Sequence, residues 1–543
     1  MQDEFIKGAK YLWNVSQFDP KAVARIAASY NVSFPLAHTL LTRGFSKKED
    51  IDAFLFSSFE RDVFDPSALK DASKAVDRLL LAIEKGEKIL IFGDYDVDGI
   101  TSSALMMTSL LPLGAQVNFF LPHRVRDGYG LSTRIVERAA RNGYTLIITV
   151  DCGITAFEQA IRAKQLGIDL IITDHHRQHD TVPDAYAIIN PNQNDCTYPF
   201  KVFAGVGVAF KILSLLYARK NLQMPSKSYE LLLLGTVADV VPLLGENRFW
   251  VRHGLNHVNK TNSLSFSVLK QNGLLKNDIV SSTDIAFSIT PQINALGRLE
   301  DPRQGVKFLI GADEAEVREV GRILLELNEA RKLIERSILQ EIMREIEQKR
   351  IDLSVENVII ATSTQWPPGV IGLVASRLVS AFGRPAILFH ETKDGVLKGS
   401  CRSINGFNMF DALNAHRDLL IQFGGHSQAA GLAMQKANLP ALKDALEKLV
   451  SEQLTPLDLE QKITIDAPAQ LSDLGRKFMD DLQHLEPFGH QNPIPCFYIQ
   501  NVTCVEKPRL LKDQHVKCTV FSDGVIKPLM FFNRPELDRK SVV

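Results

Sequence analysis

Two periodicities alternate along the first half of the chain. Residues 71–86 (DASKAVDRLLLAIEKG) place apolar side chains three and four apart, which predicts an amphipathic helix. KILIFG (88–93) is a short apolar run that leads into DYDVDG, and a second helix is expected in ITSSALMMTSLLPLG. Two more apolar runs, TLIITV (145–150) and DLIITD (169–174), bracket the helical ITAFEQAIRAKQLG. Short strands alternating with helices of this length predict a parallel, doubly wound sheet with right-handed crossovers.

Further on, residues 313–350 carry Val317, Val320, Leu324, Leu327, Ile334, Ile338 and Ile342 on one helical stripe. At 1.5 Å per residue such a helix spans roughly 57 Å, longer than one core needs. It reads as a helix joining two domains, with Gly321 and Asn328 as the places where it could break. A second α/β region follows over 351–455, with strands in VENVIIAT and RPAILFH and the glycine-rich run QFGGHSQAAG. Beyond 456 the pattern changes to short β-like runs (QKITID, PCFYIQNVTCVE, HVKCTVFS, IKPLMFF), which predict a small β-barrel of the OB type. The expected organisation is an N-terminal extension (1–70), a catalytic α/β domain (71–312), the connecting helix (313–350), a second α/β domain (351–455) and an OB-like β domain (456–543).

Composition narrows the class. The 543 residues suffice for several domains, and 45% hydrophobic with 23% charged residues is globular. Lys+Arg 62 against Asp+Glu 63 leaves a formal charge of −1, so any nucleic-acid role requires local basic surfaces. Six scattered cysteines without a CxxC pair fit a reducing compartment and exclude a zinc ribbon. The N-terminal residues lack a signal-peptide pattern, and the longest apolar stretch (231–244) is interrupted by Asp239 and Pro242, so a cytoplasmic protein without a membrane span is expected.

The candidate chemistry lies where the strands end. The first delivers Asp94, Asp96 and Asp98, the second Asp151, and the third Asp174, His175 and His176; Asp239 follows a later helical run. Carboxyl ends of a doubly wound sheet line one crevice, where ligands bind. One DxD alone reads as a turn or a helix cap, and one HH as a surface pair. Together they form a set of acids that repel unless neutralised, and divalent cations do this. Oxygen ligands with one or two imidazoles suit Mn²⁺ or Mg²⁺. Two such ions sharing a carboxylate support hydrolysis of a phosphoester.

The order GDYDVDG, VDCG, TDHH, GTVADVVPL resembles the DHH phosphoesterase superfamily, and the later GVIG, GSCRS and GGHSQAAG resemble its DHHA1 domain. With PQINALGRL and a β-rich C-terminal region, the resemblance is to the branch of single-strand-specific 5′→3′ DNA exonucleases that act in recombination and repair. It implies a Mn²⁺ or Mg²⁺ pair held by Asp94, Asp96, Asp98, Asp151, His175 and Asp239. His176 would face the scissile phosphate and Asp174 would orient its loop. Phe92 stands where some smaller relatives have a histidine, so the first ion would rely on Asp94 and water.

For the strand itself, Ser400, Arg402 and Ser403 in GSCRS suit a terminal phosphate, and Gly424, Gly425 and His426 suit close backbone approach. Arg124 and Arg298 are further phosphate candidates by resemblance. GGH alone also reads as a tight turn, and a single arginine as a solvated surface group. Lys507, Arg509, Lys512 and Lys517 interleave with Phe497, Tyr498 and Phe521, a pattern for sequence-independent strand binding. The implied partners are single-stranded DNA, a single-strand-binding protein and a RecQ-type helicase, with the chain a monomer. The resembling proteins continue past NRPELDRKSVV, so an open or shortened barrel is expected. The competing readings are a phosphoesterase of oligoribonucleotides or cyclic dinucleotides, and an inactive single-strand-binding scaffold.

Overall fold

A computed structural model describes residues 2–8, 11–124, 126–128, 130–275 and 277–534. They fall in two units. The larger comprises Ser58–Glu460 with Gly489–Gln491, and the smaller joins residues 1–57 to the two C-terminal segments 461–488 and 492–543.

In the larger unit, strands run in the order Gln116–Phe120, Lys88–Gly93, Tyr144–Val150, Asp169–Thr173, Ala187–Ile189, all parallel. Both faces are covered, which is why the inner strands read as unbroken apolar runs. Ile89, Ile91, Leu146 and Ile148 pack in the layer of the helices Val97–Leu110 and Gly205–Arg219. Leu90, Phe92 and Ile147 pack in the opposite layer against Ile135, Val136 and Ala160. Of the five strands, Gln116–Phe120 and Ala187–Ile189 are not legible as apolar runs, the first because it is a half-exposed edge and the second because it has three residues. The helix expected from Ile100 begins at Val97, because the Asp96 carboxylate accepts from the Asp98 and Gly99 amides at 3.0 and 3.2 Å and caps it there.

The helix Glu314–Glu347 is continuous through 34 residues, without a break at Gly321 or Asn328. Gly321 lies so close to Val268 that a Cβ would stand 2.3 Å from its side chain, and the buried Asn328 accepts from Arg331. Val317, Val320 and Leu324 belong to the first core, whereas Ile338 and Ile342 pack with Ile371 and Val374 under the second sheet. That sheet has the order Leu420–Gly425, Ala429–Gln435, Val396–Arg402, Ala386–Glu391, Ile359–Ser363, with only the last pair parallel.

The expected N-terminal extension divides. Residues 58–70 belong to the larger unit. The hairpin Gln2–Lys7/Leu12–Gln17 instead receives Lys462–Ile465 as a third, parallel strand. Arg43 is nearly buried and holds Asp466 at 2.9 Å, and it also donates to the Asn492 side chain. In the C-terminal segment His515–Ser522 is the central strand, flanked by Thr503–Cys504 and Arg509–Leu511 on one side and Val525–Phe531 on the other. The helix Arg476–Leu485, absent from the sequence reading, interrupts the β-rich stretch. Residues 535–543, on which the expectation of a shortened barrel bears, lie outside the described residues. Among the described residues, no helix is long and apolar enough to cross a membrane.

Candidate metal centre and phosphate cradle

The strand ends and one helix end bring eight predicted side chains to one crevice. Asp94 follows the first strand, Asp96 caps the next helix and Asp98 sits in its first turn. Asp151 leaves the second strand at φ 60°, a left-handed conformation that aspartate tolerates better than most residues. Asp174, His175 and His176 follow the third, and Asp239 closes the helix Lys227–Ala238.

Among the described residues, three donor groups have ligand atoms within 4.8 Å of one another: Asp94, Asp96 and Asp151; Asp98, His175 and Asp239; Asp151, His175 and His176. Asp151 is therefore shared. Asp98 is held from behind by the N-terminus of the helix Gly205–Arg219, whose Gly205 and Val206 amides donate to its two oxygens at 2.5 and 2.8 Å. Gly205 is required, because a Cβ there would stand 2.5 Å from the Asp151 Cβ.

The donor chemistry fits divalent ions. His175 Nε2 lies 3.1 Å from Asp151, 3.7 Å from Asp239 and 4.0 Å from Asp98, yet it is buried and makes no hydrogen bond. Asp94 Oδ1 is likewise buried without a partner. Burial, and then the neighbouring Asp96, push Asp94 up to about 8 and Asp98 up to about 7; burial and the surrounding acids also drive Asp151 and Asp239 well upward. Burial lowers His175 to about 4, which keeps its ring neutral and able to ligate. Clustered carboxylates beside a neutral imidazole that has no hydrogen bond at Nε2 are what a hard cation requires. Phe92 lies in the core, stacked on Phe120 at 6.0 Å.

Asp174 has a different environment. It accepts from the amides of Ile154, His175 and His176 at 2.8, 2.7 and 3.0 Å, and His176 Nδ1 lies 2.8 Å from it. Burial alone would raise it, but the His176 bond and charge outweigh burial and hold it at about 2. The same pairing overcomes burial at His176 and lifts it to about 9. His176 is thus a cation at neutral pH, with Nδ1 tied to Asp174.

Sequence reasoning missed two residues that shape this loop. Asn192 Nδ2 donates to the His175 carbonyl at 2.5 Å and Asn190 Nδ2 to that of His176 at 2.8 Å. Asn190 Oδ1 in turn accepts from the Asn192 amide. The only signal was NPNQN after an unrecognised strand. Asn190→Ala/Asn192→Ala is expected to weaken Mn²⁺ binding by about 10- to 100-fold, read by calorimetry with the fold checked by circular dichroism; unchanged affinity refutes this role.

Basic groups stand beside the acids. Arg124 lies 4.2 Å over the Tyr95 ring and donates to the Gly297 carbonyl. Arg298 donates to Gly369 at 2.8 Å, and burial, followed by Arg124, Arg331 and Arg402, lowers it to about 10. Arg331, on the long helix, is the member of this group that the sequence reading did not single out. Arg402 is held by the Ser376 and Ser400 hydroxyls at 3.1 and 3.2 Å and by the Cys401 carbonyl. Ser400 and Arg402 share one strand face, toward the helix Pro368–Phe382. Ser403 is a correction: it lies just past the strand, and its buried hydroxyl donates to the Phe407 carbonyl at 2.8 Å, so it is spent on a turn.

Gly424 and Gly425 end the strand of a hairpin. Gly425 has φ 140°, and a Cβ there would stand 2.4 Å from the Ala429 carbonyl, whereas Gly424 faces open space. The His426 amide donates to Ala429, and burial, followed by the charges of His176 and Arg177, lowers the ring's pKa. The hairpin therefore brings His426 within electrostatic reach of the histidine pair.

Families and proteins of known function match this chain. The DHH family N-terminal domain matches residues 88–236, the DHHA1 domain 356–452 and the RecJ OB domain 465–542. Fold and site thus define a metal-dependent DHH phosphoesterase with a DHHA1 domain and an OB domain, the class expected. The chain belongs to the RecJ family of single-stranded-DNA-specific exonucleases. It is 36% identical over 470 residues to RecJ of Salmonella typhimurium, covering 83% of this chain and 81% of that one. It is 36% identical over 533 residues to RecJ of Bacillus subtilis, covering 97% of this chain and 66%, just under two thirds, of that one. The structure of RecJ from Thermus thermophilus with Mn²⁺ superposes at a TM-score of 0.80, with 30% identity over 95% of this chain and 73% of that one. The same protein with Mg²⁺ gives 0.74 at 28% identity, covering 95% and 72%.

Proposed function

We propose that this chain degrades single-stranded DNA from its 5′ end with two divalent ions, Mn²⁺ or Mg²⁺, and releases 5′-mononucleotides in recombination and repair. The observation that supports it most is the orphaned His175 Nε2 among Asp98, Asp151 and Asp239, beside a cluster of arginines.

Asp94, Asp96 and Asp151 would hold one ion, with Asp94 and water making up for the histidine that smaller relatives have at the position of Phe92; Asp98, Asp151, His175 and Asp239 would hold the other. When bound, the ions activate a water and draw charge from the phosphoryl oxygens. The residues themselves do the rest. Asp174 fixes the His176 ring and keeps it cationic, so that it donates to the scissile phosphate or protonates the departing oxygen. Arg402 with Ser400 takes the terminal phosphate, and Arg298, Arg124 and His426 hold the phosphates that follow. The exposed Lys517, with Arg509 opposite it and Phe521 four residues on, offers the smaller unit's sheet as a further strand contact. A single-strand-binding protein and a RecQ-type helicase are its partners, and it acts as a cytoplasmic monomer.

End-labelled single-stranded DNA tests the reading directly. Label at the 5′ end is released as mononucleotide before the 3′ label shortens, and only with Mn²⁺ or Mg²⁺ present. Release of the 3′ label first, or faster turnover of di- and trinucleotides than of long strands, overturns it. Arg402→Ala is expected to lose about 10-fold or more of the preference for a 5′-phosphorylated end over a 5′-hydroxyl, in competition between the two substrates.

A further inference from the structure

The helix Thr133–Arg141 lies outside the site, and its two faces differ sharply. Ile135, Val136 and Ala139 are buried in the core layer of the parallel sheet. Arg134, Arg138 and Arg141, spaced four and three apart, form one exposed stripe on the other side. Arg134 pairs with Asp127 at 3.0 Å, whereas Arg138 and Arg141 make no ion pair among the described residues. The acids nearby are already committed: Glu137 to Arg162 at 2.8 Å, Glu87 to Arg78 at 2.6 Å and to Thr145 at 2.7 Å, and Asp127 also to the His123 amide at 2.9 Å. Lys88, whose Nζ donates to the Asn142 carbonyl, prolongs the positive surface past the end of the helix.

The stripe has a direction. Because the helix follows the strand Gln116–Phe120 and returns antiparallel to the sheet, its N-terminus lies at the carboxyl edge, where Asp94, Asp151 and Asp174 stand. The segment between strand and helix carries Arg124, which reaches Tyr95 of the acidic motif. From that edge Arg134 to Arg141 runs about 10 Å down the flank.

We propose that this stripe is a track for the phosphodiester backbone of single-stranded DNA outside the catalytic crevice. The proposal rests on the reading of the substrate given above and adds a second contact to it. Exposed guanidinium groups spaced along one helix face neutralise phosphates and read no base. A membrane surface fits less well, because the apolar side of this helix is buried.

The test measures binding of a 5′-phosphorylated 40-mer and of a 4-mer to the full chain in EDTA, across a salt series. Arg134→Glu/Arg138→Glu/Arg141→Glu is expected to weaken binding of the 40-mer at least about 10-fold and to reduce the slope of log K against log[salt] by about 2. The ratio of 40-mer to 4-mer affinity should fall accordingly. The milder Arg138→Gln/Arg141→Gln gives a smaller change in the same direction and guards against misfolding of the triple variant. An equal charge change on the outer face of the long helix, at Arg318, Arg322 and Lys332, is expected to leave the slope as it is. A wild-type chain that binds the 40-mer, with an unchanged slope in both stripe variants, overturns the track alone. A wild-type chain that binds no single-stranded DNA overturns the substrate reading as well. Loss of binding to anionic vesicles with DNA binding intact also overturns the track and assigns the stripe to membranes.

Discussion

Asp151→Asn is expected to yield a folded protein that cleaves single-stranded DNA at least about 10³-fold more slowly at saturating Mn²⁺. Asp151 belongs to the donor group with Asp94 and Asp96 and lies 3.1 Å from His175 Nε2, so in the proposed two-ion arrangement its loss would remove charge from both positions at once. Asparagine is the informative replacement. It has nearly the same shape, which matters where a neighbouring glycine leaves no room, and it accepts the φ of 60°. Alanine would add backbone strain to the chemical loss and blur the two. Release of labelled mononucleotide is measured alongside thermal unfolding. A rate within about 10-fold of the parent at an unchanged melting temperature refutes the shared-ligand assignment.

The second large effect is on stability without metal. Asp94 and Asp98 carry values of about 8 and about 7 in the folded chain against 3.8 for the free side chain. Asp151 and Asp239 are shifted the same way. The folded state thus holds more protons than the unfolded one, and stability falls as pH rises through these values. His176, raised to about 9, acts in the same direction above pH 6.5. His175, lowered to about 4, opposes it only between pH 4 and 6.5. In EDTA, the melting temperature should therefore be lower at pH 8 than at pH 6.5 by about 5 °C or more. Mn²⁺ should restore more at pH 8 than at pH 6.5, because there it meets ionised ligands without displacing protons. Scanning calorimetry at the two pH values decides it, and a metal-free transition that rises with pH would show that the acids do not share one crevice.

The acid and histidine groups were legible because each sits directly after an apolar strand, where alternation and burial leave a strong local signal. KILIFG matches Lys88–Gly93 residue for residue, and the acids after it fall where the doubly wound rule puts them. What could not be read depends on contacts between distant residues. Asn190 and Asn192 matter through two backbone carbonyls 14 and 17 residues back, which leaves no periodicity in the chain. Arg331 lies on a helix rich in charged residues, and only packing separates it from the others. Ser403 shows the opposite error: it belongs to a motif by spelling, but the strand ends at Arg402 and its hydroxyl closes the following turn on Phe407.

The third strand added to the N-terminal hairpin has a consequence for biosynthesis. Leu12–Gln17 pairs with Lys462–Ile465, some 450 residues later. At the usual pace of about 5–20 residues per second, a ribosome needs roughly 20–90 s to make that intervening stretch. The catalytic core can fold while the first strands wait with an open edge, and that edge is an aggregation hazard until its partner emerges. A nascent chain stopped near residue 460 should therefore be more readily cut by protease within its first 57 residues than in the parallel sheet that follows them.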